Sequence, residues 1–300
     1  MSTVRKIGHW KRFRPRLRGR LDDATVYEPD SIYARARSEV GQMMQQTRSR
    51  RFKPDHPLKH ASRAAARLRS RDPRTPELLL ALLILQAPGA VRAQQEMDKR
   101  RGGYKNRQAR LYELIDYNDT FVDMVLSCEK ADLVELPYRM KQEIDWFCNH
   151  LGVDTFTDEQ HNAIVHGLSR EIAVYYAARD AGLVPRLTSR VQDAKGVDMV
   201  ITDPNTKKAI SVDIKTRASF RWRLVDLQKR GRVDEGKRMQ CELAGYCIVK
   251  GRKAGETDTM LFRVATNRLG EIKNFRFVNP EPIRELLFEA IENHGRYIVD

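Results

Sequence analysis

The stretch GVDMVITDPNTKKAISVDIK, residues 196–215, contains two short segments rich in β-branched residues, 196–201 and 209–215. The tetrapeptide Asp-Pro-Asn-Thr at 203–206 lies between them and has the composition of a turn. Because β-branched residues favour extended backbone, the stretch predicts a β-hairpin. Two antiparallel strands joined in this way bring Asp198 and Asp213 side by side.

Asp198, Asp213 and Lys215 therefore form a candidate site at the ends of adjacent strands. Two carboxylates and an ammonium suit a divalent cation and an activated water. The triplet Asp213-Ile214-Lys215 is one of four acid-x-Lys triplets, about twice the number expected by chance from the composition. The serious rival is Glu271-Ile272-Lys273, which begins a predicted strand and follows Asp258 in the chain.

A helix preceding the hairpin distinguishes the first triplet from its rival. Thr157 and Gln160 fit a capping box, and the helix is expected to run to about Asp180. Glu171 lies within about 60° of Ile164, Gly167, Leu168 and Tyr175, on the face that should pack on the sheet. A buried carboxylate is costly without a partner, and a metal ion or a lysine would compensate it. A salt bridge to Arg186 or Arg190 is the structural alternative.

The C-terminal half alternates helices and strands. After the Glu171 helix, strands are predicted at 183–191, 197–202 and 209–216, followed by a helix at 233–244. Further strands are predicted at 246–250, 259–265 and 273–278, and a last helix begins at Pro282. The order is α-β-β-β-α-β with extra elements appended.

Glu171, Asp198, Asp213 and Lys215, in this order of elements, resemble the PD-(D/E)xK nuclease superfamily over roughly residues 155–250. The apolar flanks of Asp213 are similar to that family, whereas Val197 stands where the family name implies proline. The resemblance implies a C-terminal α/β domain with a restriction-endonuclease-like αβββαβ core, a mixed sheet flanked by helices.

The resemblance also implies an activity and a division of roles. The chain is expected to be a Mg²⁺-dependent nuclease, an endonuclease acting on DNA, with Mg²⁺ or Mn²⁺ as cofactor. Lys215 would orient or help deprotonate the attacking water and stabilise the pentavalent phosphate. The implied metal ligands are Asp198, Asp213, the carbonyl of Ile214, and Glu171 directly or through water.

The N-terminal half is predicted to be all-α. A first helix is expected to follow Ser31 and to run toward Thr47, and another to begin at Thr75-Pro76. Further helices are predicted at 103–116, 118–135 and 137–151. The apolar run 78–85 is followed by Gln86, Pro88 and Gly89, so it is too short to span a bilayer and predicts a buried helix.

Charge is distributed unevenly along the chain. The whole sequence has 55 Lys+Arg against 40 Asp+Glu, a net charge of +15. Residues 1–110 hold 27 basic and 10 acidic side chains, which leaves the remainder close to neutral. A localised basic segment favours nucleic acid through counterion release, with an anionic membrane surface as the competing interpretation.

Three regions follow from these patterns. Residues 1–25 are interpreted as a flexible basic arm that orders on a polyanion, the alternative being a solubilising tail. Residues 26–152 form a helical, basic, nucleic-acid-binding region, and residues 153–300 form the nuclease-like domain. The arm residues predicted to bind nucleic acid are Arg12, Arg14, Arg16, Arg18 and Arg20.

A second basic segment follows Lys215 directly. Arg217, Arg221, Trp222 and Arg223 combine phosphate-binding guanidinium groups with an aromatic ring that can stack on a base. A solvated basic loop with a half-buried tryptophan explains the same residues without a function.

The four cysteines include no C-x-x-C pair, which predicts reduced thiols rather than a metal or iron–sulfur site. The N-terminus lacks the apolar segment of a signal peptide. Together with the absence of a predicted transmembrane segment, this places the chain in the cytoplasm of a bacterial or phage-infected cell.

The main alternative is a non-catalytic DNA-binding or packaging protein that retains a nuclease-like fold. The sequence leaves open endo- versus exonucleolytic cutting, DNA versus RNA and the specificity for a site or structure. A homodimer is compatible with the sequence, although no dimer face is evident. Phage replication, a mobile element, repair and defence all remain compatible.

Overall fold

The computed structural model describes Glu28 and residues 30–48, 56–99, 108–193, 196–251, 258–264, 266–292 and 298–299. The chain is rich in helix. An N-terminal helical region is followed by a C-terminal region built on a mixed β-sheet.

Five helices form the N-terminal region. They are α1 (Ile32–Gln46), α2 (Pro57–Arg69), α3 (Pro76–Asp98), α4 (Gln108–Ser127) and α5 (Leu136–Leu151). Helix α3 is central, since it contacts each of the other four. The expected start of α1 is confirmed, because the Ser31 side chain caps it by accepting from the Ala34 amide.

Helix α3 is longer than the apolar run predicted. It continues through Pro88 and Gly89 to Asp98, because packing on all sides outweighs the missing amide of proline. Among the described residues, α3 is the one helix long and apolar enough to cross a membrane, and 67% of its apolar window is buried inside the protein. It serves as the core of the helical region.

The prediction of two separate helices at 103–116 and 118–135 is wrong. Over the described residues they form one helix, α4, that passes through Tyr117 and ends at Ser127. The sequence around Tyr117 contains no helix breaker, and its side chain is fully buried against the other helices. Residues 101–107, where the first of the two predicted helices begins, lie largely within a segment outside the described residues.

A buried ion pair joins α1 to α5. The Glu143 side chain is completely buried and accepts from Arg37 Nε at 2.6 Å and from Arg37 Nη2 at 3.0 Å. The Arg37 guanidinium also lies 4.6 Å from the centroid of the Trp146 ring. This pair fixes the relative position of the two helices.

Helix α6 (Asp158–Asp180) connects the two regions. The predicted capping box of Thr157 and Gln160 is confirmed. One face of the helix, with Ile172 and Tyr176, belongs to the core of the helical region. The opposite face, with Val174 and Ala177, belongs to the core under the sheet. Helix α6 is therefore a shared wall between the two cores.

The C-terminal region contains one mixed sheet and a separate hairpin. The sheet order is β1-β2-β3-β5-β4-β8, with β3–β5 and β4–β8 parallel and the other pairs antiparallel. The hairpin is β6–β7. The strands are β1 (Val184–Leu187), β2 (Met199–Thr202), β3 (Ala209–Ile214), β4 (Tyr246–Val249), β5 (Thr259–Phe262), β6 (Ile272–Lys273), β7 (Arg276–Phe277) and β8 (Ile298–Val299).

The helices of this region lie between and after the strands. They are the short α7 (Arg190–Asp193), α8 (Arg217–Lys229), α9 (Glu235–Ala244), the short α10 (Thr266–Leu269) and α11 (Glu281–Glu292). The predicted helix at 233–244 and the last helix are confirmed as α9 and α11. One helix was predicted between β3 and β4, but two helices, α8 and α9, lie there. Strand β4 pairs with β5 and not with β3.

Two predicted strands are wrong in part. The segment 183–191 is extended only as β1, after which the chain turns into α7. The segment 273–278 is the β6–β7 hairpin, whose turn residues Asn274 and Phe275 have φ of 47° and 61°. Phe275 adopts this uncommon conformation because its ring is buried, 5.8 Å between centroids from Phe121 of α4.

His161 of α6 is a structural residue with a testable effect of pH. Its Nε2 donates to the carbonyl of Pro137 at 3.0 Å, and its Nδ1 is buried without a hydrogen-bond partner among the described residues. Desolvation by burial is the main reason that the pKa of His161 is lowered from 6.5. The neutral ring is therefore the form that the fold stabilises.

Because the pKa is lowered in the folded state, the unfolded chain takes up a proton first as pH falls. The contribution of His161 to stability is present above pH 6.5 and is lost below it, by up to about 1.4 kcal/mol per pH unit. We expect His161→Gln to show a flatter fall in unfolding free energy than the wild type between about pH 6.5 and 5. Plots of unfolding free energy against pH that run parallel for the two proteins would contradict this role.

Candidate functional site

The hairpin predicted from residues 196–215 is present as β2 and β3. In its turn, the Asp203 carboxylate accepts from the Asn205 amide at 2.8 Å and from the Thr206 hydroxyl at 2.7 Å. The register pairs Met199 with Val212, so its extension by one residue sets Asp198 opposite Asp213. The tertiary structure thus places the two carboxylates on neighbouring strands, as the sequence predicts.

Asp198 is held by hydrogen bonds on both its backbone and its side chain. Its amide donates to the Val212 carbonyl at 2.9 Å, and its carbonyl accepts from the Thr188 amide at 3.2 Å. Its Oδ2 accepts from the Ile214 amide at 2.5 Å. These contacts fix the orientation of the carboxylate at the end of the hairpin.

Asp213 is buried, with 4% of its surface exposed, and forms an ion pair with Lys215 through Oδ1. A Cβ at Gly196 would lie 3.3 Å from Asp213 Oδ2, and Gly196 has a φ of +86°. The backbone conformation therefore favours glycine at 196, and a Cβ there would crowd the Asp213 carboxylate. The Lys215 amide donates to the Phe262 carbonyl at 2.8 Å, which anchors the lysine backbone to the neighbouring strand β5.

Four of the predicted site residues line one cavity of about 290 Å³. They are Glu171, Asp198, Ile214 and Lys215. Asp213 does not line this cavity but lies beside it, paired with Lys215. Glu171 is half-buried at the cavity wall rather than enclosed in the core. Four of the five predicted site residues on these elements thus share one cavity, with Asp213 beside it.

The opposite wall of the cavity comes from helix α4 of the N-terminal region. Asn118, Asp119 and Asp123 line it, and sequence reasoning missed all three. The sequence signal that could have found them is the spacing of Asp119 and Asp123. Like charges at i and i+4 on a helix repel each other, so this pair is unfavourable unless something compensates it. Desolvation raises the pKa of Asp123, although this residue reaches solvent, and Arg74 acts against the shift.

The cavity and its immediate surroundings are strongly anionic. Among the described residues, the lining carboxylates and the adjacent Asp213 outnumber the cations, Arg170 and Lys215, by five to two. The carboxylates are Asp119, Asp123, Glu171, Asp198 and Asp213. Such an excess of negative charge favours binding of a cation.

The donor set fits a hard cation only in part. Among the described residues, no three His, Cys, Asp or Glu side chains are gathered closely enough to hold a metal ion. Glu171 therefore does not form a cluster with Asp198 and Asp213, although all three belong to the same site. Of the implied ligands on the hairpin, Asp198 and Ile214 line the cavity, and Asp213 lies beside it.

The basic segment after Lys215 is a helix and not a loop. Thr216 caps α8 by accepting from the Ser219 amide, and Arg217 and Trp222 are exposed, Trp222 by 67%. Arg221 and Arg223 form ion pairs with Glu242 at 3.5 Å and with Asp226 at 3.3 Å. The interpretation as a loop with a half-buried tryptophan is wrong.

The remaining sequence candidates fall outside this site. Glu271 and Lys273 of the rival triplet lie on the separate β6–β7 hairpin and form an exposed ion pair with each other at 3.6 Å. The arm residues Arg12, Arg14, Arg16, Arg18 and Arg20 lie outside the described residues. The four cysteines, all within the described residues, form no disulfide with one another.

Comparisons of the chain with protein-family models, with curated proteins and with solved structures found no match.

Proposed function

We propose that the protein is a metal-dependent nuclease that hydrolyses phosphodiester bonds of DNA, built on a restriction-endonuclease-like core. The observation that carries the proposal is the arrangement at the end of the β2–β3 hairpin. Asp198, Ile214 and Lys215 line one cavity, and Asp213 is paired with Lys215 beside it. Glu171 reaches the same cavity from the helix that precedes the sheet.

Each residue has a role that its environment supports. Asp198, Asp213 and the Ile214 carbonyl would hold Mg²⁺ or Mn²⁺, with Glu171 contributing through water. The bound ion would supply Lewis-acid activation of a water and neutralise charge on the phosphate. Lys215 would orient this water and stabilise the negative charge that develops on phosphorus-bound oxygens.

The reaction is a hydrolysis that needs no further reactant. A bond forms between the water oxygen and phosphorus, the phosphorus–oxygen bond to the leaving sugar breaks, and the leaving oxygen takes up a proton. The exposed Arg217 and Trp222 on α8 are suited to flanking phosphates and bases. The basic balance of residues 1–110 supports a polyanionic substrate.

The test uses the purified full-length protein with supercoiled plasmid, linear duplex and single-stranded DNA. Cutting is expected with Mg²⁺ or Mn²⁺ and not with EDTA. Asp213→Ala should remove the cutting while DNA binding, measured separately, is retained. Equal cutting by this variant and the wild type would overturn the site assignment.

One observation favours a second candidate, a non-catalytic DNA-binding protein. Both carboxylates already have partners within the chain. Asp198 accepts a hydrogen bond from the Ile214 amide, and Asp213 forms an ion pair with Lys215. Binding of DNA without cutting in any of the metal conditions would establish this candidate over the nuclease.

A further inference from the structure

We propose that the hairpin cavity takes a single strand of DNA and excludes the duplex, and that Arg170 holds the phosphate next to the one that is cut. This inference rests on the proposed nuclease function and adds the class of substrate to it. Two features of the cavity carry it. Helix α4 closes one side, and Arg170 connects the cavity to a neighbouring one.

The space beside Lys215 is narrow. The cavity has a volume of about 290 Å³, close to the lower end of the range of about 300–1,000 Å³ in which proteins enclose one small ligand. Helix α4 forms one wall through Val122 and Asp123, and the β2–β3 hairpin forms the other. One nucleotide with its phosphate fills a space of this size, so a complementary strand would overlap α4.

Helix α4 is fixed in this position by buried contacts. Its Phe121 ring packs on Phe275 of the β6–β7 hairpin, with 5.8 Å between the ring centroids. The Tyr176 hydroxyl of α6 donates to the Val125 carbonyl at 3.4 Å, and both residues are buried. Moving α4 aside to admit a duplex would expose these side chains to water, which is unfavourable. The wall therefore excludes a duplex by its position.

The chemistry of α4 also disfavours a second strand. Among the described residues, α4 contributes two carboxylates to the cavity lining, Asp119 and Asp123, and no cation. A phosphate backbone that lay against this wall would meet negative charge and no guanidinium or ammonium group of α4. The metal ion of the proposed mechanism would serve the strand at the hairpin, on the other side of the cavity.

Arg170 of α6 lies where this cavity meets a second one of about 530 Å³. Its Nη1 donates to the His166 carbonyl at 3.0 Å, which holds the side chain along the helix. Within the part of the chain that the structure describes, Arg170 forms no ion pair with a carboxylate. Because a guanidinium binds phosphate oxygens through several N–H groups, Arg170 is placed to bind the phosphate that leads out of the hairpin cavity.

The second cavity suits the base that belongs to this phosphate. Apolar walls come from Pro137 of α5 and Phe275 of the β6–β7 hairpin. The exposed His166 lies on α6 one turn before Arg170, at the spacing of neighbouring side chains on a helix. Glu271, an acid in this lining, is already paired with a lysine. Since aromatic rings, including that of histidine, stack on the bases of single strands, His166 is the expected base contact.

The first experiment compares three substrates of one sequence, cut by the full-length protein with Mg²⁺. They are a single strand, the fully paired duplex, and a duplex with an unpaired bubble. Single-turnover rates should be similar for the single strand and the bubble. The paired linear duplex should be cut about 30- to 1,000-fold more slowly, because a nucleotide must first leave the duplex. Negative supercoiling favours strand opening, so supercoiled plasmid remains a substrate.

Equal rates for the single strand and the paired linear duplex would overturn this inference and leave the proposed nuclease function intact. Cutting of the bubble duplex within its paired arms, at the rate seen in the bubble, would overturn it as well.

Arg170→Gln tests the phosphate contact. The variant should raise KM for the single strand about 5- to 30-fold and change kcat by less than about twofold, since the contact serves binding and not the bond that breaks. The slope of log affinity against log salt should fall by about 0.7 for the single strand. The matched control is Arg268→Gln. Arg268 also donates to a backbone carbonyl, that of Leu243, but lines neither cavity. An unchanged KM in Arg170→Gln, or an equal rise in Arg268→Gln, would refute the role of Arg170.

His166→Ala tests the base contact independently of the phosphate contact. Because His166 is exposed on the helix surface, the variant should fold normally. Single-strand affinity should fall about 5- to 50-fold with an unchanged salt slope. Unchanged affinity would show that no base occupies the second cavity.

Binding measured by fluorescence anisotropy, with Ca²⁺ in place of Mg²⁺, separates failure of this inference from failure of the proposed function. If none of the substrates is cut with Mg²⁺ or Mn²⁺, the proposed function fails, and the affinities still decide the strand preference. Arg170→Gln should then weaken binding of the single strand at least about fivefold and binding of the duplex less than about twofold. Equal losses for both forms of DNA, or no loss for either, would overturn the inference.

Discussion

Lys215→Ala is expected to lower the rate of DNA cleavage by about 100- to 10,000-fold while DNA affinity is retained. Within the part of the chain that the structure describes, Lys215 is the one ammonium that lines the hairpin cavity, and 26% of its side-chain surface is exposed. Its backbone is anchored to β5 through the Phe262 carbonyl, so truncation removes the charge without moving the strand. The measurement is single-turnover nicking of supercoiled plasmid with Mg²⁺.

The matched control for this variant is Lys273→Ala. Lys273 occupies the same position in the rival acid-x-Lys triplet, but its ion pair with Glu271 is exposed on a separate hairpin. Cleavage by Lys273→Ala should equal that of the wild type. Loss of activity in Lys273→Ala and not in Lys215→Ala would place the catalytic lysine in the Glu271-Ile272-Lys273 triplet.

Stability must be followed in the same experiment, because Lys215→Ala also removes the ion pair to the buried Asp213. The double variant Asp213→Asn/Lys215→Met leaves neither charge behind and should fold as a soluble protein with retained DNA binding. If this variant folds but does not cleave DNA, Asp213 and Lys215 act in the reaction and not only in stabilising the fold. Residual cleavage close to the wild-type rate would contradict the proposed mechanism.

Arg37→Ala is expected to lower the free energy of unfolding by about 3–5 kcal/mol. The variant leaves the Glu143 carboxylate buried at 0% exposure without its bidentate guanidinium. It also removes the stacking of Arg37 on Trp146. Equilibrium unfolding in urea at neutral pH measures the loss.

Two further variants show whether burial is the cause. Arg37→Met/Glu143→Leu replaces both charges by apolar groups and should recover most of the lost stability. Arg74→Ala removes an arginine from an ion pair with Asp72 whose side chains are 80% and 75% exposed, and should change stability far less than Arg37→Ala, because solvent screens the pair. Equal effects of Arg37→Ala and Arg74→Ala would mean that α1 and α5 are not joined by a buried pair.

Local sequence chemistry accounts for the elements predicted correctly. Ser31 and the pair Thr157 and Gln160 supply side-chain hydrogen bonds to helix starts, so these ends are encoded within three residues. The β2–β3 hairpin is encoded in the same way, by β-branched segments around the Asp203 turn. The placement of Asp198 beside Asp213 follows from this turn and needs no distant contact.

The errors occur where packing overrides local preference. Proline and glycine at 88–89 suggested an end to the helix, yet α3 continues because its surroundings bury it on all sides. Phe275 lies in a left-handed turn that its own propensity disfavours, and burial against Phe121 compensates for it. Neither contact can be read from neighbouring residues.

By itself, the sequence determined that Asp198, Asp213 and Lys215 lie at the end of one hairpin. A short turn sets the register of this hairpin. The tertiary structure alone decided what faces these three residues. Asp119 and Asp123 of α4 form the opposite wall, more than sixty residues before Leu187 of β1, the first residue of the sheet region that lines the same cavity. The physical reason is that α6 buries one face against the helices and the other against the sheet, which brings α4 to the hairpin through contacts that no local pattern encodes.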